Sequence, residues 1–529
     1  MHVITPHLGF TDLFIITLYL AGTLYIGWVV GLKKESGEDY FLAGRKLRWP
    51  LIGFSLFASN MSGSSFIGLA GEGYARGVAV FNYEWVAVVI LVFFSFFILP
   101  IYLQSKIYTI PEYLEKRFDR KSRVLFSGFT VLANIFIDAA AGLYAGGIVV
   151  QMVYPETPIW IPITLIGILA GVYTIFGGLS AVVITDTIQA IVLLTGASII
   201  SIMCFLKLDS LSTLVSRAPD NAFSLILPYD DPFLPWPGLL TGVFIIGFYF
   251  WATNQFIVQR TLGAKDIHHA RWGALFAGFL KLPVLFLMIL PGTIGLVLYP
   301  NLDSPDLIFP TLVFDLLPIG ARGIVVAAMI AAIMSSIDST LNSAATLVTM
   351  DFILPLRKNL SQKAIVKIGQ WVTLVFMFLS ILWAPQIIRF ETLWHYLQSI
   401  LAYITPPIVV CFITGIFWKR ANAQASFYTL LIGIPFGISA FIFNEMLGLA
   451  QIHFLYACFC LFVFCLLLIT SISLMTPSPD YSKITRLTWN KNDFQIESIQ
   501  LKKISWYQNY RILSGLLLLL TSVLIIFFL

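Results

Sequence analysis

Charge is what this sequence has least of. Only 11% of its 529 residues are Asp, Glu, Lys or Arg, where soluble proteins carry about 25%. That excludes an ordinary water-soluble fold, and a formal net charge of +5 gives no footing for nucleic acid. Cysteine is also scarce. Cys204, Cys411, Cys458, Cys460 and Cys465 lie in apolar segments without metal-ligand spacing, so they read as small hydrophobes and not as a disulfide framework. The six histidines, His2, His7, His268, His269, His395 and His453, join no constellation with acids or a nucleophile, so no enzyme is expected. His395, beside Trp394, reads as a pocket-rim or structural residue. The first apolar run, about 11–31, lacks the basic leader and small-residue cleavage site of a signal peptide, and Lys33 and Lys34 follow it as a stop-transfer flank. It is a true span.

What abounds is apolar, at 58% of the chain. A run of about 20 such residues crosses a bilayer as a helix. Fourteen runs qualify: about 11–31, 50–72, 79–103, 123–152, 158–176, 181–207, 238–259, 271–299, 320–355, 364–384, 391–418, 425–446, 453–474 and 509–528. The chain is therefore an all-α polytopic membrane protein. Most of its basic residues fall in alternate loops, 33–48, 104–123, 260–271, 356–369, Lys419–Arg420 and 475–511, while the other face carries Asp230, Asp231, Asp303, Asp306 and Asp315. The positive-inside rule puts the basic loops in the cytoplasm of a plasma (inner) membrane protein and both termini outside, extracellular or periplasmic. The polar stretch 475–508 reads as a linker to an appended last helix.

Two spans are interrupted. FASNMSGSSFIG (57–68) and GFYFWATNQF (247–256) place Asn, Ser, Thr, Gln and Gly at membrane depth, where they are poor helix formers with strong turn chemistry. Counted from the second span, they are the first and sixth helices of a ten-helix block. Matching breaks in two five-helix halves point to an inverted-repeat secondary transporter, whose freed carbonyls hold cations. Close packing by Gly and Ser is the competing explanation.

Glu84, Asp138, Asp186, Lys281 and Asp338 also lie within spans. Each costs several kcal/mol unless paired or solvated, so each is a functional candidate. Lys281 is too deep to snorkel to the surface, which leaves substrate contact or a structural pair with a carboxylate. Glu84, between Tyr83 and Trp85, suits polyol hydroxyls. Asp138, which precedes the small-residue packing face AAAGLYAGG, is unassigned, and a structural hydrogen bond explains it at least as well as a function. In AAIMSSIDSTLNS (331–343), Ser335, Asp338, Ser339 and Asn342 share one arc of a helix, with Ser336 and Ser343 beside them. A stripe of hydroxyls with one carboxylate is hard-cation chemistry.

SNMSGSSFIGLAGEGY, YEW, YTIPEYLEKRF, FGGLSAVVITDTIQ, NQFIVQRTL, AAIMSSIDSTLNS, YLQSILAYITPPI and FWKRAN together make the chain resemble the sodium:solute symporter family, in its sodium/glucose cotransporter branch, over about residues 36–425. The resemblance implies a LeuT-type core of inverted five-helix repeats and sodium-coupled symport of a sugar or polyol by alternating access. It divides the chain into an extra helix and cytoplasmic loop (1–49), a first repeat (50–207), an extracellular loop (208–237), a second repeat (238–424) and three C-terminal helices (425–529). It implies a sodium site of Ala58, Met61, Ala332, Ser335 and Ser336. A second ion site would draw on Asp186, Asp338 and Ser339. Substrate contacts map to Asn60, Ser65, Glu84, Lys281 and Gln398, and gates to Leu69, Tyr83, Trp394 and Phe250. The sequence departs from the family pattern at Ser65, where a larger amide or imidazole is usual, and at Ala87, where one bacterial type has a hydroxyl. Phe250 lacks a tyrosine hydroxyl. Asp338 stands where Ser or Ala is common, so the second site is either strengthened or takes a proton. The alternatives are a sodium- or proton-coupled symporter of sialate or another organic acid, and a transporter-like sensor. An arginine near the pocket would favour an acid, and none is evident in the core helices.

Overall fold

The computed structural model describes residues 8–31, 36–154, 156–219, 221–357, 359–389 and 393–529. Among them there is no β-strand. Among the described residues twelve helices are long and apolar enough to cross a membrane, from Phe10–Val30 to Tyr510–Phe527. The expected second and fifth spans fall outside that count for local reasons. The second is split into Trp49–Asn60 and Gly63–Arg76. The fifth, Trp160–Val172, is short and runs into the sixth across a reversal at Gly178. There φ is +53°, and a Cβ would sit 2.5 Å from the Tyr40 carbonyl oxygen, so only glycine fits.

Burial orders the bundle. In Ala321–Leu356, 89% of the most apolar window is inside the protein, against 11% for Phe10–Val30 and 22% for Tyr510–Phe527. The hydroxyl-bearing helix is thus central, and the first and last helices face lipid. The first helix nevertheless makes one polar contact with the centre. Asp12 Oδ1 accepts the Gly320 and Gly323 amides at 2.7 and 2.8 Å, capping Ala321–Leu347, which has no cap of its own. Gly323 allows this approach, since a Cβ there would lie 2.6 Å from Asp12 Cα.

The 475–508 stretch is not an extended tether. It folds into short helices, Tyr481–Ile484 and Lys491–Leu501, strapped across the basic face. Tyr113 donates to the Leu487 carbonyl (3.0 Å) and Trp489 N–H to the Ile416 carbonyl (2.9 Å). Glu497 pairs with Arg271 and, at 2.9 Å, with Arg511.

Candidate substrate and cation sites

The break in the second span follows from its residues. Asn60 ends one helix and Met61 leaves helical geometry, with ψ at 75°. Ser62 caps the next helix by accepting the Ser65 amide at 3.1 Å. The Ser62 amide turns back to the Asn60 carbonyl (3.0 Å). In a continuous helix, Ser62 N–H would bond Ala58 and Ser65 N–H would bond Met61. Both carbonyls lose those partners. The break packs on the central helix, for a Cβ at Gly63 would meet Ile333 Cγ1 at 2.3 Å. Ala332, Ser335 and Ser336 flank that contact and are buried. Ser336 Oγ donates to the Ala332 carbonyl at 3.1 Å and Ser335 Oγ to Asp186 at 2.6 Å; neutral carbonyl and hydroxyl oxygens of this kind are the donor type a hard monovalent cation takes.

Beside the break lies a cavity of about 150 Å³, lined by Asn60, Ser65, Glu84, Lys281 and Gln398 together. Lys281 Nζ is 2.7 Å from Glu84 Oε2 and also donates to Asn60 Oδ1. It sits 5.4 Å from the Trp251 ring centre. Among the described residues Gln398 Oε1 is buried without a hydrogen-bond partner. Ser65 Oγ is turned to Ser62 Oγ (2.9 Å) and the Asn60 carbonyl (3.3 Å). Tyr83 and Phe250 line the cavity, and Phe250 packs edge-on to Trp251 and Phe256. Leu69 is fully buried and does not line it. The side chain of Trp394 lies outside the described residues, as does that of His395. Widened π-turns at Asn134–Ala139 and Tyr249–Thr253 border the same cavity, bringing Asp138, Phe250 and Trp251 to its walls.

Sequence reasoning missed one functional candidate. Arg260 lies in a stretch that reads as a basic cytoplasmic loop, yet it is only 1% exposed. Its guanidinium lies 3.0 Å from Asp186 Oδ2, donates to Ser55 Oγ at 2.6 Å and also bonds Ser59 and Ser339. Asp186 further accepts from Ser335 (2.6 Å) and Ser59 (3.2 Å). Asp338 Oδ1 is 3.0 Å from Ser339 Oγ. The residues proposed for a second ion are therefore gathered, with an arginine in their midst. The signal available was Asp186 itself, a buried carboxylate in need of a counter-charge. Arg260 is not among the residues lining the cavity. Arg271, from the same loop, is likewise buried, against Glu497 and the Tyr510 ring.

Broken helices, freed carbonyls beside a hydroxyl stripe, and a buried polar cavity between central helices define a cation-coupled membrane transporter. The chain belongs to the sodium:solute symporter family, whose model matches residues 40–433, and sodium is its coupling ion. It is 35% identical to sodium/myo-inositol cotransporter 2 of Bos taurus, over 90% of this chain and 78% of that protein. It is 33% identical to sodium/glucose cotransporter 1 of Oryctolagus cuniculus, over 93% and 82%. A solved structure of a Na+-coupled sialic acid symporter, substrate-bound and outward-open, aligns at TM-score 0.79 and 25% identity, over 89% of this chain and 99% of that one. The LeuT-type fold and the symporter class follow.

Proposed function

We propose that the protein couples sodium entry to import of a sugar or polyol. The observation that carries this reading is the convergence of Asn60, Glu84 and Lys281 in one cavity beside the broken helix. A carboxylate, an ammonium and an amide offer both acceptors and donors to a ring of hydroxyls, and Gln398 adds an unused acceptor. The names of the sodium/myo-inositol and sodium/glucose relatives point to the same solute class. Sodium binds Ala58 and Met61 carbonyls, the Ala332 carbonyl and the Ser335 and Ser336 hydroxyls. The basic loops face the cytoplasm of the inner (plasma) membrane, and both termini lie outside. Tyr83, Leu69 and Trp394 close the outer path, and Phe250 the inner. Each sodium moving down 100 mV contributes about 2.3 kcal/mol, which supports roughly fifty-fold accumulation. A second ion at Asp186, Asp338 and Ser339 requires Arg260 to withdraw from the carboxylate it now neutralises.

Transport of an acid such as sialate, the solute of the structural neighbour, is disfavoured by Glu84 and by a cavity whose lining holds no arginine among the described residues. The test is uptake of labelled myo-inositol and glucose into liposomes, in sodium and in choline. Uptake should collapse in choline. Equal uptake in both, or none of either solute, sinks the reading.

A further inference from the structure

One charge in the substrate cavity has no place in the scheme above. Asp138 sits in the π-turn Asn134–Ala139 and lines the cavity with Asn60, Glu84 and Lys281, on a different helix from each. Its side chain is partly exposed, and the space it faces is the cavity. The other carboxylates buried in the core all have donors. Glu84 has Lys281, Asp186 has Arg260 and serines, Asp351 has Arg123, Thr109 and Ser127, and Asp12 has backbone amides. Among the described residues Asp138 receives no hydrogen bond and no ion pair, and the Tyr249 phenol within its electrostatic reach is buried.

Charge arithmetic sharpens this. Glu84 and Lys281 cancel, so among the described residues Asp138 is the one carboxyl on the cavity lining without a counter-charge. A carboxylate held in a membrane protein without donors or a counter-charge costs several kcal/mol. The fold keeps it there, at a turn type that is rare and concentrated at functional sites, and it opens onto the space a solute fills.

We propose that Asp138 is a substrate-recognition residue that accepts from a donor group of the solute, and that this carboxyl, which ionises against an ammonium brought beside it, selects solutes carrying an ammonium group, an amino sugar or amino polyol, over their neutral hydroxyl analogues. The Glu84, Lys281 and Asn60 set holds the hydroxylated part of the solute while Asp138 takes the amine. This rests on the sugar or polyol reading above and narrows it.

The test pairs glucosamine with glucose as competitors of sodium-driven uptake in liposomes. Wild-type protein should prefer glucosamine by about tenfold or more, the worth of one hydrogen bond to a charged group. Asp138→Asn should bring the ratio near one, and Asp138→Glu should keep the preference. A wild-type ratio at or below one overturns the inference without needing any variant, as does a preference that survives Asp138→Asn in protein shown to be folded by size-exclusion profile. If neither solute enters in a sodium-dependent way, the symporter reading itself has failed. Sodium-driven glucose uptake without amine preference removes only the role of Asp138.

Discussion

Replacing Arg260 by methionine should turn an internal cation site into one for sodium. In the native arrangement the guanidinium contacts Asp186 at 3.0 Å and three serine hydroxyls, all buried. Methionine fills much of the volume but leaves Asp186 as an unpaired buried carboxylate, which costs about 3–5 kcal/mol. The site left behind is a carboxylate ringed by Ser55, Ser59, Ser335 and Ser339, a hard-cation donor set. Sodium at a hundred times its dissociation constant would restore about 2.7 kcal/mol. Arg260→Met should therefore melt well below wild type in choline and recover more than half of the loss in sodium. Asp186→Asn, which strands the arginine instead, should be as unstable and gain no such increment, while Arg260→Met with Asp186→Asn should regain stability in either salt. The assay is thermal unfolding in detergent across a sodium titration at constant ionic strength. If Arg260→Met shows the same sodium increment as wild type and the double variant is no better than the single, the carboxylate is not what the arginine serves.

Four further outcomes are expected. Lys281→Met and Glu84→Gln should each abolish uptake, while the pair together should recover most of the stability that Lys281→Met alone loses, about 3–5 kcal/mol, as read by a double-variant melting cycle. Ser335→Ala and Ser336→Ala should each raise the sodium concentration for half-maximal uptake by about tenfold, the equivalent of about 1.4 kcal/mol, with solute selectivity unchanged. Burial alone would raise the Glu497 carboxyl, but Arg271 and then Arg511 outweigh it and hold it below the usual glutamate range. A lowered folded pKa gives stabilisation that is complete above the ordinary value and lost as pH falls through the lowered one, so the strap should become sensitive to proteolysis on acidification, and Glu497→Gln should remove that pH dependence. Asp12→Ala should cost about 1–2 kcal/mol through the lost cap, measured by thermal unfolding.

The periodic features of the sequence carried through to the structure because they depend on neighbours a few residues away. SNMSG breaks its helix through the capping geometry of Ser62 alone, and the arc of hydroxyls in AAIMSSIDSTLNS is a matter of helical spacing. Lys281 was legible as an intramembrane charge, and the structure pairs it with Glu84 on the cavity wall. What sequence alone concealed was tertiary reach. Arg260 and Arg271 sit where a loop charge is expected, and only the path of facing helices turns them inward. Leu69 is fully buried and off the cavity wall, a placement its position in the sequence does not reveal. The strap looked like a linker because its short helices are too polar to announce themselves.

The cap that Asp12 places on the central helix also bears on how fast a cation arrives. An uncapped amino terminus carries about half a positive charge, and this one points to the acidic face, from which sodium enters in the proposed cycle. A carboxylate bonded to the Gly320 and Gly323 amides offsets that half charge at the mouth of the approach. The peripheral first helix, which does not line the cavity, thus favours cation entry, and its removal should slow sodium association.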